Sequence, residues 1–198
     1  MKAWLKEMKT SIRAILALAL LLCGVYPAAV TLAGRSLFPA RADGSLIERD
    51  GVVAGSERIA QPFAGKGYFH PRPSAAGAGY DATASGGSNL GPLSRSLAEA
   101  VRRRAEAYRA ENGLPAGAAV PADAATASAS GLDPDISLEN ARLQAPRVAA
   151  ARGMTEPAVR AIIDATAEGR DLGIFGEPRV NVLRLNLALD GATRRGGR

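Results

Sequence analysis

The sequence has one cysteine, Cys23, one histidine, His70, and aromatic residues at only 5%. A lone cysteine excludes an intrachain disulfide, and one histidine beside it leaves no Cys/His zinc spacing. Because Cys23 lies inside an apolar stretch, cysteine usage leaves the compartment open. The aromatic shortage means that the core must rest on Leu, Val, Ile and Ala. Internal repeats are missing, as are the G-x-S-x-G elbow of a serine hydrolase and the lysine of a phosphate-binding P-loop.

Basic charge is also missing from the body of the chain. The net charge of +6 comes from two ends: Lys2, Lys6, Lys9 and Arg13 against Glu7, and Arg194, Arg195 and Arg198. Residues 14–193 hold 18 basic and 18 acidic side chains. A nucleic-acid binder gathers cations on its folded face, so this balance argues against one. The run Arg102-Arg103-Arg104, set among Glu99, Glu106 and Glu111, reads as a solvated helix face.

What is present first is a long apolar run. Ala14 to Ala33 is uncharged, and its 20 residues span about 30 Å, the thickness of a hydrocarbon core. Its nine Leu, Ile and Val favour insertion by about 3–5 kcal/mol. A cleaved signal peptide has a shorter apolar region, and Leu22 before Cys23 does not fit a lipoprotein signal, although Ala40-Arg41-Ala42 loosely resembles a cleavage site. The run is read as an uncleaved transmembrane helix. Gly24 and Pro27 are places for a kink, and small residues such as Ala17, Gly24 and Ala28 permit close helix packing. Positive charge before the span predicts a cytoplasmic N-terminus over 1–13 and an extracytoplasmic domain over 34–190. Residues 191–198 read as a disordered basic tail.

The domain reads as α+β, a soluble mixed domain with irregular Gly/Pro/Ser-rich loops. Ser45–Ala54 is a hairpin around Asp50-Gly51. Residues 61–92 form an ordered irregular loop. Leu93, Leu97, Val101 and Ala105 mark a helix from about 92 to 112, stopped by Asn112-Gly113. Ser137 caps a helix over 138–152 that Gly153 ends, and Thr155 caps the next. Arg179–Asp190 alternates Leu183, Leu185, Leu187 and Leu189, which predicts a buried strand with a bulge near Val182.

Candidate chemistry is sparse. Ser85-Gly86-Gly87-Ser88-Asn89 has the backbone freedom of an anion cradle, but a structural turn accounts for it as well. Ser128, Ser130, Asp133 and Asp135 gather oxygens suited to a hard cation without the EF-hand pattern, and Asx turns use the same residues. His70, Ser128 or Ser130, and Asp133 supply the residue types of a hydrolytic triad, at a frequency expected by chance. Arg147 and Arg152 are suited to clamping carboxylates or to internal ion pairs.

Taken in order, Tyr68-Phe69-His70-Pro71-Arg72-Pro73-Ser74, the loop Ser85 to Gly91, Ser128 to Ser137, Gln144-Ala145-Pro146-Arg147, Ala151-Arg152-Gly153 and Gly176-Glu177-Pro178-Arg179-Val180-Asn181-Val182-Leu183 resemble the C subunit family of bacterial Kdp potassium-transporting ATPases. The resemblance covers about residues 10–190. It departs at Asp135, where most relatives are expected to carry histidine. It implies a non-catalytic, single-pass subunit of the inner membrane in an inward potassium pump. The implied partners are a channel-like potassium-binding subunit, a P-type ATPase subunit, a small stabilising peptide and membrane lipid. ATP and K+ would be handled by the complex, with no cofactor or metal held here. The family is described as a catalytic chaperone that raises the ATPase subunit's affinity for ATP. The chain lacks the D-K-T-G-T phosphorylation motif of P-type motors. Expected partner or ligand contacts are Arg72, Ser85, Gly86, Ser88, Asn89, Asp133, Gln144, Arg147, Arg152, Asn181 and Asn186. Membrane packing falls to Ala17, Gly24, Pro27 and Ala28. A membrane-anchored periplasmic hydrolase and a free-standing binding module are the alternatives.

Overall fold

A computed structural model describes residues 2–196, with side chains from 3 to 193. It divides into two units, one ending at Leu46 and one starting at Ile47.

The first unit is dominated by one continuous helix. It comprises α1 (Lys2–Ala19), a π-helical segment (Leu20–Val25) and α2 (Tyr26–Leu37), followed by the short α3 (Pro39–Ala42). Ala3–Leu37 is long and apolar enough to cross a membrane, and none of it is buried. The helix therefore extends beyond the uncharged run on both sides. Pro27 explains the π segment. Its ring has no N–H to donate and would crowd the carbonyl one turn back. The wider turn just before it absorbs that misfit, with the Tyr26 N–H donating to the Leu21 carbonyl.

The expected hairpin follows, β1 (Leu46–Arg49) and β2 (Val52–Ser56). Asp50 and Gly51 both take positive φ, 53° and 77°, as a two-residue turn of this hand requires. Irregular chain follows to α4 (Arg95–Asn112), then α5 (Ala122–Ala125), β3 (Asp135–Ser137), α6 (Leu138–Arg152), α7 (Glu156–Thr166), β4 (Arg179–Asn181) and α8 (Val182–Gly196). β3 and β4 pair antiparallel with Ile136 opposite Val180. α6 packs on α7 and α4, and α7 packs on α8. The mixed α+β character agrees with the sequence reading.

The caps named from the sequence fall where it puts them: Ser137 and Thr155 each accept a backbone N–H of the first turn, and Gly113 and Gly153 close α4 and α6 in the left-handed conformation. Ser94, which the sequence reading passed over, caps α4 in the same way. Leu93 is a correction: it precedes the cap and is 97% exposed, so the inward face of α4 starts at Leu97.

The larger correction concerns residues 179–190. Only Arg179–Asn181 is strand, and Val182 begins α8 in place of a bulge. The Asn181 Oδ1 accepts the Arg184 N–H at 3.1 Å and starts the helix. Val182, Leu185, Asn186 and Leu189 are buried at helical spacing, whereas Leu187 is only half-buried. Leucine supports either structure, so tertiary burial decided the period. α8 also continues to Gly196, into the stretch expected as a tail; Gly197 and Arg198 lie outside the described residues.

The core gathers Phe69, Ile136, Val148, Val159, Ile163, Val180, Leu185 and Leu189. Phe69 is its one fully buried aromatic, in keeping with the aliphatic composition.

Candidate functional site

The irregular stretch 61–92 is held by side-chain amides and guanidinium groups from α6 and α8. Asn186 accepts the Phe69 N–H at 2.8 Å and donates to the Phe69 carbonyl at 3.0 Å. Gln144 does the same one residue on, accepting the His70 N–H at 2.8 Å and donating to its carbonyl at 3.1 Å. An extended backbone in a buried place needs such partners, and no strand is there to supply them.

Arg147 donates to the Lys66 and Tyr68 carbonyls at 2.6 and 3.0 Å, and to Asn112 and Gln144. Burial pulls its guanidinium below the ordinary value, opposed by Glu111 and Tyr108. Arg152 bonds the Gly67 carbonyl, pairs with Asp190 at 2.8 Å and stacks on the Tyr68 ring. Four of the residues expected to contact partners thus hold a loop of their own chain.

The network continues to residues that the sequence did not single out. The Tyr108 hydroxyl donates to Asn140 Oδ1 at 2.9 Å, and Asn140 donates to Asp123, which also binds the Ser137 N–H and hydroxyl. Burial raises the Tyr108 pKa, and nearby Asp123 adds to the effect, so the phenol remains a neutral donor. The available signal was spacing, since Tyr108 and Asn112 continue the inward phase of Leu97, Val101 and Ala105.

Above this network lies a cleft of about 210 Å³ lined by His70, Tyr80, Arg104, Tyr108, Glu111 and Gln144, among others. His70 Nδ1 is 2.9 Å from a Glu111 carboxylate oxygen, and Nε2 is 3.1 Å from the Gly65 carbonyl. Both ring nitrogens thus face oxygens of the chain itself. Asp133 pairs with Arg72 at 2.7 Å, and the Ser128 and Ser130 hydroxyls face each other at 3.4 Å. His70, serine and Asp133 are therefore not assembled into a triad.

A second groove, lined by Arg72, Asp123, Asp133, Asp135, Glu177 and Arg179, runs along the β3–β4 pair. Arg179 pairs with Asp135 at 3.2 Å and Glu168 at 3.1 Å. Asn181 donates to Asp135 and to the Glu57 carbonyl. Burial is the main cause that raises the Asp135 pKa. Among the described residues, no group of three metal-ligating side chains is disposed around one point.

The Ser85–Gly91 loop packs on the Ser128–Gly131 turn. The Gly86 N–H and Ser85 hydroxyl both donate to the Ser130 carbonyl, at 2.9 and 3.0 Å. Gly131 has φ +67°, and a Cβ there would lie 2.6 Å from both the Ala76 nitrogen and the Gly86 oxygen. Only glycine permits that approach. Ser88 and Asn89 lie beyond these contacts, Asn89 with φ +52°.

A family model described as the K+-transporting ATPase c chain, KdpC, matches residues 8–191. The chain is 57% identical over 183 residues to the potassium-transporting ATPase KdpC subunit of Nitratidesulfovibrio vulgaris, covering 92% of each. It is 58% identical over 166 residues to that of Mycobacterium tuberculosis, 84% of this chain and 88% of the relative. With the subunit of Caulobacter vibrioides the figures are 59% over 166 residues and 83% of each. With this identity over most of both chains, the chain belongs to the KdpC family.

Proposed function

We propose that the protein is the non-catalytic C subunit of an inward, ATP-driven potassium pump. Its helix spans the inner membrane with the N-terminus in the cytoplasm, and its domain stands on the opposite side. There it steadies the assembly and biases the pump cycle, while other subunits select potassium and hydrolyse ATP. The observation that carries this reading is the family match over residues 8–191 in a chain whose polar clusters are consumed internally. A domain outside the membrane cannot touch cytoplasmic ATP. Any chaperone-like effect on ATP affinity is then transmitted through the helix.

Exposed apolar side chains support an assembled role. Leu172, Ile174 and Phe175 are 88%, 71% and 63% exposed at the tip of one turn, and Leu172 has φ +54°. A non-glycine residue in the left-handed region costs about 1–2 kcal/mol, and here its side chain gains no burial in return. Contact with a partner subunit supplies that burial. Ser88 and Asn89 are the remaining candidates for such contact.

Extraction in mild detergent tests the reading. The protein is expected to leave the membrane with a P-type ATPase subunit and a channel-like subunit; recovery of the chain alone would overturn it. Protease added to sealed inside-out vesicles is expected to spare the domain, and digestion would place it in the cytoplasm.

A further inference from the structure

We propose that the first turns of α1 form a binding face for anionic phospholipid headgroups. This inference rests on the membrane-spanning reading above. Lys6, Lys9 and Arg13 are exposed on α1 at spacings of three and four. At 100° per residue they fall within about 60° of helix surface. Lys2 continues the same register. Trp4, Leu5, Met8 and Ile12 are exposed on a separate face, centred about 120° away. Glu7, the one acidic residue of this segment, lies about 100° from Lys6 and outside the stripe.

Height along the axis agrees with this assignment. The uncharged run begins at Ala14, so Arg13 sits at the hydrocarbon edge, with Lys9 and Lys6 about 6 and 10 Å further out. The headgroup layer is about 6 Å thick on each side. Arg13 and Lys9 therefore lie among phosphates. Lys6 reaches them through its flexible stem and lies within the screening length of about 8–10 Å. Orienting the chain across the membrane needs only a count of positive charges near the span. It does not require that they share a face. Clustering on one side raises the local potential where anionic lipids gather, and Lys and Arg beside a span attract such lipids one by one.

Trp4, the only tryptophan in the chain, lies roughly opposite the stripe and about 13 Å outside Arg13, so the reporter is moved: in Trp4→Phe, Leu16→Trp the indole sits about 4 Å inside the hydrocarbon edge and about 20° from Lys9 around the axis. The purified full-length chain is reconstituted into phosphatidylcholine vesicles containing brominated phosphatidylglycerol, or brominated phosphatidylcholine at equal mole fraction. Quenching of this reporter tryptophan by the brominated phosphatidylglycerol is expected to exceed that by the choline lipid by roughly two- to fivefold. The excess should vanish at 1 M salt, where the screening length falls to about 3 Å. Because removing the cations risks inverting the chain, the key variant keeps their number and scatters their phase: Ala3→Lys, Lys6→Gln, Lys9→Gln, Ser11→Lys. This variant should lose most of the preference. Equal quenching by both lipids in the reporter chain with its native cations overturns the proposal, as does a scattered variant of that reporter that keeps the full preference. Absence of quenching by either lipid overturns the membrane reading as well, so the two failures are told apart.

Discussion

Asn186 and Gln144 act as single-residue substitutes for a neighbouring strand, each offering one acceptor and one donor to an extended backbone residue. Replacing Asn186 by Ala leaves the buried N–H and C=O of Phe69 without partners. The expected loss is about 2–4 kcal/mol, read as a lower urea midpoint of the detergent-solubilised chain at unchanged slope. Asp135 makes a pH prediction. Burial raises its pKa in the folded state, so the folded protein holds the proton more tightly than the unfolded chain. Stability should therefore fall as pH rises from the ordinary carboxylate value through the raised one, and then level off. Asp135→Asn should flatten that part of the profile in denaturation measured from about pH 3.5 to 6.5. A profile unchanged by the substitution would count against the desolvation argument.

Among the elements, those with local punctuation were legible. Ser137, Gly153, Thr155 and Asp50-Gly51 are short-range signals, and each sits where the sequence puts it. α8 was not legible, because its four alternating leucines satisfy a strand while the deciding contacts come from distant segments. The loop anchors were illegible for a related reason. Glutamine, asparagine and arginine carry the same identity in either role, and only the fold shows the bonds that they make to their own backbone. Gly131 links two loops through backbone approach alone. Gly131→Ala should lower thermal stability, by several degrees for a domain of this size, as the Ala76 and Gly86 backbones are pushed apart. Gly169, around which an added Cβ meets nothing within 4 Å, is the matched control and should tolerate Ala.

For the whole molecule, composition made the aliphatic core and the long apolar helix plain, whereas the exposed apolar turn at Leu172–Phe175 had no sequence signature. Replacing Leu172, Ile174 and Phe175 by Ser should leave the far-ultraviolet circular dichroism and melting temperature nearly unchanged. Recovery of the ATPase and channel-like subunits by pull-down should fall at least several-fold. Undiminished recovery would move the contact elsewhere on the domain.

The clamp between Asn186 and Phe69 joins residues 117 positions apart, and Arg49 reaches Asp190 across 141. β3 likewise waits for β4, Asp135 lying opposite Asn181, 46 residues on. Proteins are synthesised from the N-terminus, and long-range closure must precede the contacts it rewards. No fragment ending before Val182 can close this core. The core therefore completes only once α8 has been made, which puts the last step of folding at the very end of synthesis.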